Sequence, residues 1–429
     1  MNDTALYLRR AASSGLLNSA ASAACVALAL PAVIGSIGLE AYGCWAILGA
    51  FVVAAGLLDL GMSKALVFLI PRDESSESEI VSAALLLCLL AISCAAGVVW
   101  ALTLGGVELF GGAVAHQPGL ALWLATAGTI ILACQAITTL LRAVFEARCK
   151  AHVVNLGFAL FTVAYYGVAM LLSTFGADLR LIIAASAAVF VLTLAAHVRV
   201  LWADRPLHWR RPTRTTLRRL VQTSVRTFAV DLPSVAYLPL MLWGFLLIAP
   251  SGSAYGAFDL ATRIAIMCAT ALSTVAVPFF ALIAGARATE QQHHVRQLLD
   301  RFVPWMLLLA ACGWLVFVLA GARVLQWWMP EAPPELVSAL RLLLGGLLLH
   351  AAFEPVTRML LGLGQTRRLL TVRLCMLGTC ALLVLVLHSL PALQRFSIAG
   401  AAGYAAAAAL LALALRSIRW GRPDLPRVA

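Results

Sequence analysis

The chain has 429 residues, of which 62% are apolar and 12% charged, with a mean hydropathy of +0.94. A soluble fold of this length cannot hide that much hydrocarbon, so the composition requires an integral membrane protein with no length left over for a soluble catalytic domain. The formal net charge of +12 belongs mainly to loops on one side of a bilayer, and nucleic acid is not expected as a partner.

At about 20 residues per crossing, twelve spans are predicted, near 15–34, 45–70, 80–104, 119–145, 151–174, 179–202, 219–249, 255–285, 301–322, 336–363, 369–388 and 396–416. The apolar runs are continuous rather than alternating, which rules out a β-barrel. Arg9-Arg10 precedes the first run, but no small-residue cleavage site followed by a soluble domain comes after it. That run is therefore read as a retained helix. The expected fold is an all-α integral membrane protein of about twelve transmembrane helices. Residues 1–204 form an N-terminal six-helix bundle, 205–218 a basic linker and 219–429 a C-terminal six-helix bundle.

Charge asymmetry predicts the orientation. With the N-terminus inside, cytoplasmic loops collect Arg72, Arg148, Lys150, Arg199, Arg205, Arg210, Arg211, Arg214, Arg218, Arg219, Arg287, Arg296, Arg367 and Arg368. Opposite loops hold only Arg180, Arg323 and Arg395. By the positive-inside rule both termini are cytoplasmic. The most basic stretch, Arg205 to Arg219, falls at the midpoint and reads as a topology anchor and linker, with anionic-lipid recognition as the alternative.

Two short themes recur half a chain apart. Ala41-Tyr42-Gly43 and Ala254-Tyr255-Gly256 each open a long apolar run, at an offset of 254 − 41 = 213. The same offset carries Asn18 onto Asp231. A duplication of six spans would relate the halves by an axis along the membrane normal, the plan of transporters whose halves rock about a central cavity.

Ionisable residues within spans are costly and mark pathways or paired sites. Asp59 and Lys64 lie at the end of span two, and Arg226 and Asp231 in span seven ahead of Pro233 and Pro239. Asp259 and Arg263 share one face of span eight, either as a self-neutralising pair or as a cavity cation with its acid. Gln135, Thr138, Thr139, Arg142 and Glu146 form a stripe on span four, and His350, Glu354 and Arg358 fall at i, i+4 and i+8 on span ten. The repeat relates Gln135 to His350 (350 − 135 = 215) and Arg142 to Arg358 (358 − 142 = 216). Snorkelling near a helix end is the plain alternative for the two arginines. His293-His294 reads as a solvated pair in a loop.

No enzyme constellation is present: there is no phosphate-binding glycine loop, no HExxH and no GxSxG. Cysteines such as Cys25, Cys88, Cys134 and Cys268 sit singly in apolar runs, with no CxxC and no metal spacing. No metal or organic cofactor is expected.

The opening helix, the segments Gly38-Leu39-Glu40-Ala41-Tyr42-Gly43 and Leu58-Asp59-Leu60-Gly61-Met62, and Gly362-Leu363-Gly364-Gln365-Thr366-Arg367 resemble the polysaccharide-flippase branch of the MOP superfamily, kin to the MATE exporters and the lipid II flippase. The resemblance covers essentially the whole chain. A lipid II flippase would be expected to carry two further spans, for which there is no length here. Family members often carry a polar or acidic residue late in span seven, whereas Leu240-Met241-Leu242-Trp243-Gly244-Phe245 is wholly apolar here.

The resemblance implies an undecaprenyl-diphosphate-linked oligosaccharide as cargo, moved from the cytoplasmic to the periplasmic leaflet of the bacterial inner membrane for surface polysaccharide synthesis. Its partners would be inner-membrane lipids, with a polysaccharide polymerase and chain-length machinery downstream. Arg226, Arg263, Arg142 and Arg358, with Gln135 and Asn18, are the substrate-binding candidates, because a planar guanidinium suits a diphosphate. Asp231, Asp259, Glu354 and Asp59 are the candidates for H+ or Na+ coupling. Competing readings are a MATE-like cation-coupled exporter, a membrane glycosyltransferase or ligase, and a scaffold. The short non-cytoplasmic loops disfavour the second of these, and the repeated charges at depth the third.

Overall fold

The computed structural model describes residues 2–72, 76–106, 109–114, 118–274, 289–330, 332–363 and 365–417. All regular structure in them is helical. In chain order the helices are α1 (Asn2–Leu58), α2 (Met62–Leu69), α3 (Glu77–Leu104), α4 (Pro118–Ala147), α5 (Ala151–Thr174), α6 (Leu179–Asp204) and α7 (Arg214–Ile248). There follow α8 (Gly252–Thr274), α9 (Thr289–Trp328), α10 (Pro334–Ala352), α11 (Glu354–Gly362), α12 (Thr366–Val386) and α13 (Ala392–Ser417). Single 3-10 turns sit at Ile70–Arg72 and Gly111–Ala113.

Among the described residues, eleven helices are long and apolar enough to cross a membrane. The first of these, Ser13–Leu58, has 46 residues. It would be about 69 Å long at 1.5 Å per residue, more than twice a hydrocarbon core of about 30 Å. Gly38 divides it, with φ 77° and ψ 162°, a conformation that favours glycine. Counted as two crossings, α1 brings the total to the twelve expected. The predicted end of span eight beyond Thr274, Arg287, Gly364 and the arginines of the tail after residue 417 lie outside the described residues.

Three expectations change. Span two is not one helix: the chain breaks at Asp59-Leu60-Gly61, where Leu60 and Gly61 take φ 47° and 77°. Span ten breaks at Phe353, because Pro355 has no N–H to donate and its ring crowds the carbonyl four residues back. The i, i+4, i+8 stripe of His350, Glu354 and Arg358 is thus split between α10 and α11. His293 and His294 belong to the opening turns of α9 rather than to a loop.

The chain divides into two compact units, Met1–Gly256 and Ala257–Ala429. In the first, α1 packs along α5 and α4, α4 packs along α6, and α7 docks on α1, α2 and α3. Compactness thus places α7 with the first unit, while the repeat-based division at 205–218 remains a proposal about duplication. The core centres on Trp45, fully buried, which stacks on Tyr165 at 5.2 Å and donates its indole N–H to Ser186 Oγ at 2.9 Å. In the second unit, α13 packs against α10 and α12, α9 packs against α10, and Phe258 of α8 meets Phe396 of α13 edge-on at 6.1 Å.

The basic linker is ordered by the start of α3. Arg210 N and His208 N donate to Ser82 Oγ and Ser78 Oγ, and Thr213 N donates to Glu79 Oε1 at 2.7 Å. Glu77, only 4% exposed, receives Arg148 Nε at 2.8 Å and lies 3.5 Å from Arg205. Asp204 pairs with both Arg148 and Lys150. The linker therefore has a structural docking partner within its own unit.

Candidate functional site

Apart from the exposed Arg296–Asp300 pair of α9, three acid–base pairs lie on the span helices or at their breaks, and they contain five of the ten candidate residues. In the first unit Asp231 of α7 forms an ion pair with Lys64 of α2. Local geometry brings them together. The break at Gly61 lets α7 approach so closely that a Cβ there would lie 2.6 Å from Ser224 O. Thr227 Oγ1 donates to Gly61 O at 3.3 Å, and Asp231 is one turn further along α7. Asp231 thus has a cationic partner from a distant helix.

Asp59, close enough to feel the charge of Lys64, has hydrogen bonds of its own at the break. Its Oδ1 accepts from Ser63 N at 3.0 Å and from Ser63 Oγ at 2.5 Å, closing the first turn of α2. A carboxylate at the amino end of a helix satisfies free N–H groups and meets the positive end of the dipole. Asp59 thus holds the break in span two, and Lys64 reaches across to α7.

In the second unit Asp259 and Arg263 form the expected i, i+4 pair on α8, with Arg263 Nε 2.5 Å from Asp259 Oδ2. Glu354 and Arg358 form a second pair on α11, Nε to Oε1 2.7 Å. The helix break places Glu354 in the first turn of α11, again at the positive end of a helix. The charge of Arg373 on α12 reaches both Glu354 and His350. His350 itself lies against Tyr404 of α13, ring centroids 5.6 Å apart.

In all three pairs the acid is more buried than the base. Side-chain exposures are 13% for Asp231 against 58% for Lys64, 3% for Asp259 against 21% for Arg263, and 17% for Glu354 against 39% for Arg358. In each pair the base is the more accessible partner.

The remaining candidates divide. Arg226 is exposed on α7. Five residues place it about 140° around the helix from Asp231, so the two do not meet on one face. Arg142 does not snorkel. It is 5% exposed, and its guanidinium lies over the Phe158 ring at 3.1 Å, a cation–π contact between α4 and α5. Its Nε has no hydrogen-bond partner among the described residues, nor has Nε2 of nearby His197. The His197 ring sits 6.5 Å from Phe145, and its Nδ1 contacts Thr193 O at 2.8 Å. Asn18 Oδ1 is likewise buried and unpartnered among the described residues. One turn before it, Ser14 Oγ accepts from Asn155 of α5 at 3.0 Å. Gln135 is half-buried on α4, and its backbone carbonyl accepts from Thr139 Oγ1.

Sequence reasoning missed Phe158, His197 and Arg373. Each sat in an apolar run or at a span end, with no signal of which neighbour it faces.

The two repeated motifs meet. Gly43 lies so close to Gly252 that a Cβ on it would strike the Gly252 carbonyl, and one on Gly256 would lie 3.2 Å from Gly43 Cα. Glu40 accepts from Gly252 N at 3.0 Å and from Ser253 N at 2.7 Å, capping the start of α8. Glycine in both copies is what permits this approach.

Among the described residues no cluster of His, Cys, Asp or Glu could hold a metal ion. No family model matches the sequence, and no curated protein does. Solved structures match over nearly the whole chain. The lipid II flippase MurJ in an inward closed conformation superposes with a TM-score of 0.70 at 12% identity, covering 96% of this chain and 88% of that one. An inward-facing multidrug resistance MATE transporter of the MOP superfamily gives 0.67 at 18% identity, over 94% of each chain. A MOP superfamily transporter from Pyrococcus furiosus, described by the reverse polarity of its binding pocket, gives 0.60 at 17% identity, over 96% and 94%. The fold is that of the MATE and MurJ transporters.

Proposed function

We propose that this protein is a flippase that carries an undecaprenyl-diphosphate-linked oligosaccharide from the cytoplasmic to the periplasmic leaflet of a bacterial inner membrane, by alternating access. The observation that carries the reading is the set of pairs in which a buried acid holds a more exposed base. A diphosphate, as a multivalent anion, competes for the base of each pair: Lys64 in the first unit, Arg263 and Arg358 in the second. Each displaced carboxylate then takes up a proton or Na+. When the cargo leaves, the acid recaptures its base and releases the ion. Lys64 joins the substrate candidates on this reading, and Asp59 leaves the coupling candidates for a capping role. Arg142, with an unpartnered Nε over Phe158 and Glu146 one turn along the same helix, is a further cation for the diphosphate. The fold shared with a lipid II flippase and with MATE exporters accommodates this cycle but does not choose the cargo. A cation exporter would need accessible acids, and in these pairs the bases are the more accessible partners.

The test is the lipid-linked saccharide pool of a native strain lacking the protein. The reading expects undecaprenyl-diphosphate oligosaccharide to accumulate and surface polysaccharide to be lost, with rescue by the intact protein and none by Arg263→Ala. An unchanged pool with normal surface saccharide would overturn it in favour of an exporter of small cations.

A further inference from the structure

The basic linker docks on α3 through its backbone, and that docking leaves its cationic side chains unused. His208 N, Arg210 N and Thr213 N donate to Ser78 Oγ, Ser82 Oγ and Glu79 Oε1. The acids that border it are engaged elsewhere. Glu77 holds Arg148 and Arg205, Asp204 holds Arg148 and Lys150, and Glu79 accepts from Thr213 N. The charge of Arg210 reaches Glu79 through space. Even so, among the described residues none of the guanidiniums of Arg210, Arg211, Arg214, Arg218 and Arg219 is paired with a carboxylate. All five residues are exposed.

Local structure gathers these charges on one surface. Thr213 caps α7 by accepting from Thr216 N. Helical geometry then sets Arg214 and Arg218 one turn apart on one side of α7, with Arg219 beside them, while Leu220 and Ser224 are buried on the other. Helix α3 gives the height of this surface. Its 28 residues make about 42 Å of helix, close to the roughly 40–45 Å of a bilayer with its headgroups. The first turns of α3, which hold the linker, therefore lie at headgroup level. Trp209 in the linker and Trp202 in the last turn of α6 are 61% and 65% exposed beside the arginines, and exposed indoles settle at that same depth. Arg214 to Arg219 covers about 7 Å of helix and Arg210 to Arg214 up to about 14 Å of extended chain. Cations so dispersed do not converge on a single phosphate; they suit a layer of them.

We propose that this face binds the headgroups of anionic phospholipids. The five arginines take phosphate oxygens, for which the planar guanidinium is suited, and the two indoles sit among the glycerol and ester groups beneath. The linker then has two partners, α3 through its backbone and the lipid through its side chains. The inference is independent of the cargo.

The experiment uses the full chain in nanodiscs of equal parts phosphatidylglycerol and phosphatidylcholine. A photo-reactive p-benzoylphenylalanine replaces His208, exposed beside Trp209, and its lipid adducts are identified by mass spectrometry. The expected ratio of phosphatidylglycerol to phosphatidylcholine adducts is about five or more, since one arginine near an anionic surface contributes roughly that factor. It should fall close to one in the combined Arg210→Gln, Arg211→Gln, Arg214→Gln, Arg218→Gln and Arg219→Gln variant. Raising the salt from about 0.05 M to about 0.5 M around the unsubstituted arginines should produce the same fall by screening, so the test stands even where the variant folds poorly. Arg367→Gln with Arg368→Gln, exposed on α12, should leave the ratio unchanged. A ratio near one with all five arginines present overturns the proposal, as does a high ratio that survives both the glutamines in folded protein and the salt. A ratio near one from protein that instead retains RNA or an acidic protein overturns it in favour of a soluble partner.

Discussion

Removing Arg263 tests whether the α8 pair is both structural and functional. Asp259 is 3% exposed and its partner nitrogen is 2.5 Å away. At that distance and an effective dielectric of about 20, the Coulomb attraction is about 7 kcal/mol. Desolvation of the nearly buried carboxylate offsets most of it. Truncating one member of a buried pair typically costs about 3–5 kcal/mol, because the other charge is left uncompensated. Arg263→Ala should therefore lose stability of that order, less whatever Asp259 recovers by taking up a proton. Asp259→Asn combined with Arg263→Gln removes both charges and should return to within about 1 kcal/mol of the parent. The assay is chemical unfolding in detergent for the two single variants and the double, read as a double-mutant cycle. Transport is measured on the same proteins. The double variant should be folded and inactive, since the α8 cation is lost from the set that the diphosphate needs. A parent-like stability of Arg263→Ala refutes the structural half of the reasoning, and full transport by the double variant refutes the functional half.

Other sites give sharper structural outcomes. Gly61→Ala places a Cβ 2.6 Å from Ser224 O at a residue with φ 77°, and should cost about 1–3 kcal/mol and push α7 away from α2, read by thermal unfolding and by a cysteine crosslink between the two helices. Glu77→Ala leaves Arg148, whose side chain is 7% exposed, with Asp204 as its remaining carboxylate and loosens the linker; a loss of about 1.5–3 kcal/mol and faster proteolysis between residues 205 and 213 are expected. Glu40→Ala removes the carboxylate cap from α8 and should cost about 0.5–2 kcal/mol in unfolding experiments, whereas Glu40→Asp, if its shorter chain still reaches Gly252 N, should retain part of it.

The sequence displays the bilayer plan openly. Hydropathy alone defines the crossings, because a span must satisfy its backbone internally and bury its apolar length. The i, i+4 partners Asp259 and Arg263 were legible for a similar reason: helical periodicity fixes which neighbours share a face. The breaks at Asp59-Leu60-Gly61 and Phe353 were partly legible, since Gly61 and Pro355 are standard interrupters, but apolar residues on both sides masked them. The partner of Asp231 was not legible. Lys64 and Asp231 are 167 positions apart, and only the close approach at Gly61 brings them together. The surroundings of Arg142 were not legible, because distance from a helix end says nothing of which side is buried, whereas packing against Phe158 does. The AlaTyrGly repeat was visible as a motif, yet its physical meaning, a glycine-to-glycine approach capped by Glu40, required coordinates.

The most direct test of the central claim is translocation itself. The protein is reconstituted in proteoliposomes holding a fluorescent undecaprenyl-diphosphate oligosaccharide, and the fraction reaching the outer leaflet is read with a lectin or a membrane-impermeant quencher. The account predicts protein-dependent transfer that is abolished in the folded Asp259→Asn, Arg263→Gln double variant and is competed by undecaprenyl diphosphate. Transfer at the rate of empty liposomes, from protein shown to be folded and to move a cationic dye instead, would contradict it.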